Sequence, residues 1–289
     1  MWAEGSDIML GIKELGTAKT ISLTLILILI VLLIISKNSN TVMRYMVGRE
    51  VEFKTADFSQ VETENFSIRY TIIDNENISV VANASEYAYA TVTDFFNFKP
   101  DRKTMLVVYP DTVSLARSFG WDKSQKAEGV YWASSIRVIS PQLWQEEALL
   151  TDDLDLVQAG PLVHEFAHLM VDEQTGGNYN RWWTEGIAQY VEKEITGFEF
   201  SEPFASSQEI KIFPLTVINK KFDTNEGLIA YWQSLKIIEY IVNNYGEENL
   251  FNIMDNLSRG DNIKQAITRA LQVNYKDWEL NLYQALQNN

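Results

Sequence analysis

Leu162-Val163-His164-Glu165-Phe166-Ala167-His168-Leu169-Met170 is the stretch from which the rest of the chain is read. Apolar residues frame three polar ones at helical spacing, so a helix is expected over about 153–173. His164 and His168 stand at i and i+4, one turn apart on one helix face. Two imidazoles so placed can converge on a single divalent cation, and zinc takes imidazole nitrogen at about 2.0–2.1 Å. Glu165, one residue along, points about 100° around the helix. It is badly placed for the ligand set but within reach of a water beside the ion. The chain contains 2 His in all, so both of its imidazoles stand at ligand spacing. The alternative is a polar helix face that spells the pattern and binds nothing. Against it, an unpaired His pair and a Glu on an apolar-framed helix are costly to bury.

A catalytic zinc takes three protein ligands and keeps a fourth position open. No further His and no Cys exist, so the third ligand is expected to be a carboxylate. After the Gly176-Gly177 turn comes Trp182-Trp183-Thr184-Glu185-Gly186-Ile187-Ala188-Gln189-Tyr190. The apolar positions Ile187, Ala188, Val191 and Ile195 predict a second helix over 183–196. Gly186 and Ala188 are small enough for a neighbouring helix to approach closely. Glu185 is the expected third ligand. Glu173, Glu192 and Glu194 compete with it, and an acid favoured at a helix start by the dipole is the other reading of Glu185.

The composition sets limits on function. At 289 residues and 46% apolar, the chain can bury one catalytic-sized unit or two closely packed subdomains. A net charge of −15 argues against a nucleic-acid partner, which needs clustered cations, and against charge-driven docking on anionic lipid. The lack of Cys excludes a disulfide scaffold, a thiolate zinc site and a Cys nucleophile.

Residues 21–35 (ISLTLILILIVLLII) carry no charge. Extended back to Ala18, they would form a helix of roughly 27 Å, at the short end of a membrane span. A core helix would be amphipathic. A cleaved signal would be followed by a small-residue pattern, and Ser36-Lys-Asn-Ser-Asn40 offers none. An uncleaved transmembrane anchor is therefore expected over 18–36, after a tail at 1–17. Lys13 and Lys19 before it and Lys37, Arg44 and Arg49 after it leave the positive-inside count nearly tied. The acidic, Cys-free remainder favours an extracytoplasmic domain at the cell membrane on that single span.

Beyond the anchor, 37–64 is expected to be a tether with some local structure. Residues 65–150 should form an α/β upper subdomain, with strands over 66–73, 104–110, 129–133 and 135–140 and helices over 76–97 and 112–119. Residues 151–289 should form a zinc-binding helical subdomain, closing with helices over about 225–245, 246–257, 261–271 and 275–287. The expected class is α+β: a small mixed sheet with helices, then a mostly helical part.

H-E-x-x-H followed by W-x-x-E-G-x-A-x-Y resembles the gluzincin metallopeptidases, particularly the peptidase MA-like family related to the aminopeptidase N and thermolysin catalytic domains. Tyr231 to Ser234, Tyr240 and Asn244-Tyr245-Gly246 are similar to that family's helix after the zinc site. The resemblance implies a thermolysin-like helical subdomain over about 155–287, zinc held by His164, His168 and Glu185, Glu165 as catalytic base, and peptide or protein substrates. Two departures stand out. Gln189 occupies the place where many thermolysin-like members carry an Asp that supports a His. Glu128-Gly129-Val130-Tyr131-Trp132 lacks the G-x-M-E-N stretch of the exopeptidase branch, so an endopeptidase is expected over an aminopeptidase. By analogy with a catalytic Tyr in related enzymes, Tyr231 is the candidate second oxyanion donor, a packed Tyr being the alternative. Gly129, Tyr131 and Trp132 are the candidate substrate strand, pairing with an extended peptide by β-addition; ordinary core is the alternative for both aromatics. The rival from another class is a non-catalytic extracytoplasmic binding or scaffold domain of the same fold. An intact Glu165 argues against it, because a structural site has no use for a base.

Overall fold

The computed structural model describes residues 22, 24–30, 39–148, 161–199, 203–204 and 211–287. Its sheet has five strands in the order β1-β2-β3-β5-β4. β1 (Ser59–Glu62) runs antiparallel to β2 (Phe66–Tyr70). β3 (Thr104–Tyr109) lies parallel between β2 and β5 (Ser135–Ile139). β4 (Gly129–Trp132) pairs antiparallel with β5 and forms one edge. The parallel step from β2 to β3 is made by a helix, α2 (Ile78–Phe96), as parallel pairing requires a crossover. Strand 66–70 is apolar on alternate residues, 104–109 is apolar throughout after Thr104, and the register puts Ile68, Leu106 and Ile136 in one buried row. This face meets the helical half, where the Phe66 and Phe166 rings lie 5.7 Å apart.

The opposite face carries Arg69, Val107 and Arg137 in register. Arg137 lies over the Phe119 ring at 4.1 Å. Arg69 Nη1 donates to the Glu52 and Thr55 carbonyls, which ties β2 to the end of α1 (Ser39–Lys54). Residues 37–64, expected to be a tether, therefore hold a 16-residue helix and an edge strand. Val47 and Val51 of α1 belong to the same apolar cluster as the sheet and the C-terminal helices.

Other expectations shift at the ends of elements. Strand 66–73 stops at Tyr70, and Ile72–Asp74 turns into a 3-10 helix. The 129–140 segment is two strands joined by Ala133 and Ser134, both at positive φ (46° and 69°). α3 (Thr112–Ser118) starts at Asp111, whose carboxylate caps the Ser114 amide, and α4 (Pro141–Ala148) follows β5. The helix expected from 153 begins at Leu162, and 153–160 lie outside the described residues.

The C-terminal half is a stack of helices: α5 (Leu162–Thr175), α6 (Arg181–Thr196), α7 (Gly227–Tyr245), α8 (Glu248–Ser258), α9 (Ile263–Leu271) and α10 (Tyr275–Gln287). α5 ends on Gly176 at φ 62°, the left-handed cap that glycine adopts without strain, and the chain turns back into α6. α6 and α7 touch at Gly186, where a Cβ would come within 2.5 Å of the Ser234 carbonyl oxygen and 2.7 Å of Ile238 Cγ1. Among the described residues no helix is long and apolar enough to cross a membrane. Most of the expected anchor at 18–36 lies outside them; residues 22 and 24–30 are helical with exposed side chains.

Candidate metal centre

α5 and α6 together build the centre. The i, i+4 spacing on α5 puts His164 Nε2 and His168 Nε2 3.1 Å apart. Glu185, in the second turn of α6, brings Oε2 to 3.7 Å from His164 Nε2 and 3.5 Å from His168 Nε2. Ligands about 2.0–2.1 Å from a tetrahedral zinc stand roughly 3.3–3.4 Å from one another, so this triangle of two nitrogens and one oxygen has the dimensions zinc requires. All three side chains are largely shielded from solvent. The donor set, two imidazoles and a carboxylate, is that of a catalytic rather than a structural zinc.

The other ring nitrogens are also engaged. His164 Nδ1 lies 3.0 Å from Glu192 Oε2, and His168 Nδ1 lies 2.7 Å from Thr184 Oγ1. Such outer contacts fix ring orientation and leave each Nε2 facing Glu185 Oε2. Burial opposes charge on His164, but the carboxylates of Glu192 and Glu185 outweigh it and hold its pKa well above 6.5. Burial likewise acts against the charge on Glu185, and hydrogen bonds from His164 and His168 reverse the effect, taking its carboxyl far below the ordinary range. Without a metal, then, the carboxylates favour a proton on His164, and the imidazoles favour an ionised Glu185.

The two oxygens of Glu185 are divided. Oε2 faces the imidazoles, and Oε1 lies 3.3 Å from Arg181 Nε, one turn earlier on α6. Arg181 also pairs with Asp223 at 2.8 Å, covers the Phe222 ring at 4.6 Å and reaches the Tyr231 hydroxyl at 3.4 Å. Tyr231 is thus placed beside the Glu185 carboxylate. Burial and the Glu185 charge push its pKa up to about 12, so it keeps its proton at neutral pH.

Glu165 points toward the sheet edge. Its Oε2 accepts the Tyr131 backbone N–H at 2.5 Å. Ile139 N–H donates to the Glu128 carbonyl, so antiparallel alternation gives Val130 and Trp132 the bonds to β5 and turns the Gly129 and Tyr131 backbone groups outward. Gly129 is there for space: a Cβ would lie 2.7 Å from Glu165 Cγ and 2.8 Å from its Oε1. Burial raises the Glu165 pKa, and the two imidazoles offset part of that rise.

The structure therefore gathers His164, His168, Glu185, Glu165, Tyr231, Gly129 and the Tyr131 amide in one region. The Tyr131 side chain does not join them, since its hydroxyl donates to Asp172. Trp132 is 49% exposed and belongs to the opposite sheet face. Of the competing acids, Glu173 pairs with Arg44 and Glu192 supports His164. The sequence reasoning had given no role to Arg181, Thr184 or Asp172. Arg181 and Asp172 each stand four residues from a ligand on its own helix, and that spacing was the available signal.

Residues 148–285 match the family model for the Peptidase MA superfamily. This supports a metallopeptidase-like domain of the MA clan over that part of the chain, and peptidases of this superfamily are usually metal-dependent. No curated protein matches the chain.

Proposed function

We propose that this chain is a zinc-dependent peptidase, cleaving within peptides rather than at a free amino terminus, held at the cell membrane by residues 18–36 with its catalytic domain outside the cytoplasm. The observation that carries the hydrolytic part is the His164–His168–Glu185 triangle with Glu165 buried beside it. His164 Nε2, His168 Nε2 and Glu185 Oε2 would hold the ion. Bound zinc supplies Lewis acidity, lowering the pKa of water toward ~7 and polarising a carbonyl.

The chain's own groups do the rest. Glu165 takes the proton of the attacking water and delivers it to the leaving amine, and a raised pKa suits a group that both accepts and returns a proton near neutrality. Tyr231, protonated at working pH, donates to the negative oxygen that develops on the scissile carbonyl. The outward backbone of β4 offers an extended peptide a strand to pair with.

The test uses the full chain in detergent, assayed for zinc content and for cleavage of an internally quenched peptide library with and without a chelator. Glu165→Gln should keep zinc and lose turnover by a factor of about 10² or more. Cleavage that survives chelation, or full turnover in Glu165→Gln, overturns the assignment. Zinc bound with no cleavage of any peptide favours the non-catalytic alternative.

A further inference from the structure

α1 stands apart from the motif in sequence, yet its one inward arginine reaches the end of the ligand-bearing helix. Arg44 Nη2 lies 2.8 Å from Asp172 Oδ2 and 3.0 Å from the Asp172 carbonyl oxygen, and Nη1 lies 3.0 Å from Glu173 Oε1. One turn earlier on α1, Asn40 Nδ2 donates to the carbonyl of Gly176, the residue whose backbone N–H caps α5. Asp172 continues the His164–His168 face of α5 by one more turn. Its carboxylate accepts the Tyr131 hydroxyl, and that hydroxyl in turn accepts the Ser134 amide of the β4–β5 hairpin. Tyr131 is the residue whose backbone N–H holds Glu165.

A continuous chain of contacts thus runs from α1 to the proposed base: Arg44 to Asp172, Asp172 to the Tyr131 ring, and the Tyr131 amide to Glu165. Arg44 and Asp172 are 16% and 9% exposed as side chains, so the pair is poorly screened and removing one partner leaves a buried charge unmatched. β4 is only four residues long, with β5 on one side and, among the described residues, no strand on the other. A short edge strand is easily displaced unless a side chain pins it.

The geometry points to α1 as an internal clamp on the catalytic strand, with Arg44 a positioning residue that fixes the Tyr131 amide, and through it Glu165, by holding Asp172. The catalytic half of this inference rests on the peptidase assignment; the mechanical half does not.

The experiment is hydrogen–deuterium exchange of the full chain in detergent, with and without zinc, on wild type, Arg44→Ala, Arg44→Lys and Tyr131→Phe, alongside zinc content and peptide kinetics. In Arg44→Ala, exchange over 129–134 should rise about tenfold with 181–191 unchanged. Its kcat should fall about tenfold or more with KM within about twofold, at full zinc content. Arg44→Lys keeps one charge–charge contact and should recover part of both losses. Unchanged exchange over 129–134, or a loss confined to zinc content, overturns the clamp. If Arg44→Ala exchanges faster throughout the chain, Tyr131→Phe decides, since it cuts the same link with the ring in place; an unaltered 129–134 rate there overturns the proposal. Should wild type cleave nothing, the peptidase assignment fails, and the exchange data still judge the clamp.

Discussion

Arg181 Nε sits 3.3 Å from Glu185 Oε1, the oxygen that does not face the imidazoles. The guanidinium thus leaves a single carboxylate oxygen to face the imidazoles, and it bridges Glu185 to the Tyr231 hydroxyl at 3.4 Å. Arg181→Ala should weaken zinc binding about 10- to 100-fold, the usual cost of losing an outer partner. Competition against a chelator of known affinity checks this; an unchanged zinc affinity removes Arg181 from the site.

Glu192 and Thr184, two turns apart on α6, each hold one of the two histidines. Glu192→Ala should also lower zinc affinity about 10- to 100-fold. Thr184→Val, which removes a neutral partner from His168, should cost less. Equal losses, or a larger one in Thr184→Val, would count against this ranking.

Gly129 leaves room for the Glu165 side chain. Gly129→Ala should push Glu165 off the Tyr131 amide and lower kcat by about 10² or less while the chain keeps its zinc. Full activity in Gly129→Ala would show that the base tolerates the displacement.

pH separates the metal-free from the zinc-bound protein. The His164 pKa is raised above 6.5, so its stabilising contribution is complete below pH 6.5 and disappears as pH climbs through the raised value. The Glu185 pKa is lowered below 4.5, so its contribution is present above pH 4.5 and disappears only as pH falls through that lowered value. The chelated protein should therefore lose thermal stability as pH rises from 6.5. Zinc needs neutral imidazoles, so the Tm gain on adding it should grow over the same interval. A chelated Tm that stays flat above pH 6.5 contradicts the charged pair.

Gly186 is a packing position. Gly186→Ala should destabilise the fold by about 1–3 kcal/mol, because the rigid Ser234 carbonyl has to move. Urea denaturation of the full chain measures it, and a neutral result means α6 and α7 separate without cost.

The centre was legible in the sequence because its logic is local. His164 and His168 are one turn apart, and Glu185 lies in the second turn of the very next helix. The helices of the C-terminal half were legible from apolar periodicity, as were β3 and α2. α1 was not, because it buries only Val47 and Val51 among mixed charges, too thin an apolar stripe to announce a helix. The support for His164 was missed for a geometric reason. Gln189 fills the place expected of an acid, and its amide instead bonds the Glu185 and Tyr231 carbonyls, while the acid comes three residues later, at Glu192. The Arg44–Asp172 pair joins residues 128 apart, and no window along the chain could have shown it.

One amide hydrogen has two claimants. A peptide laid along the outer side of β4 needs the Tyr131 N–H for its own ladder, and in the resting protein that hydrogen belongs to Glu165. If the peptidase assignment holds, Glu165 keeps that hydrogen, so a docked chain has to pair with β4 through the other outward backbone groups and forgo one rung of its ladder.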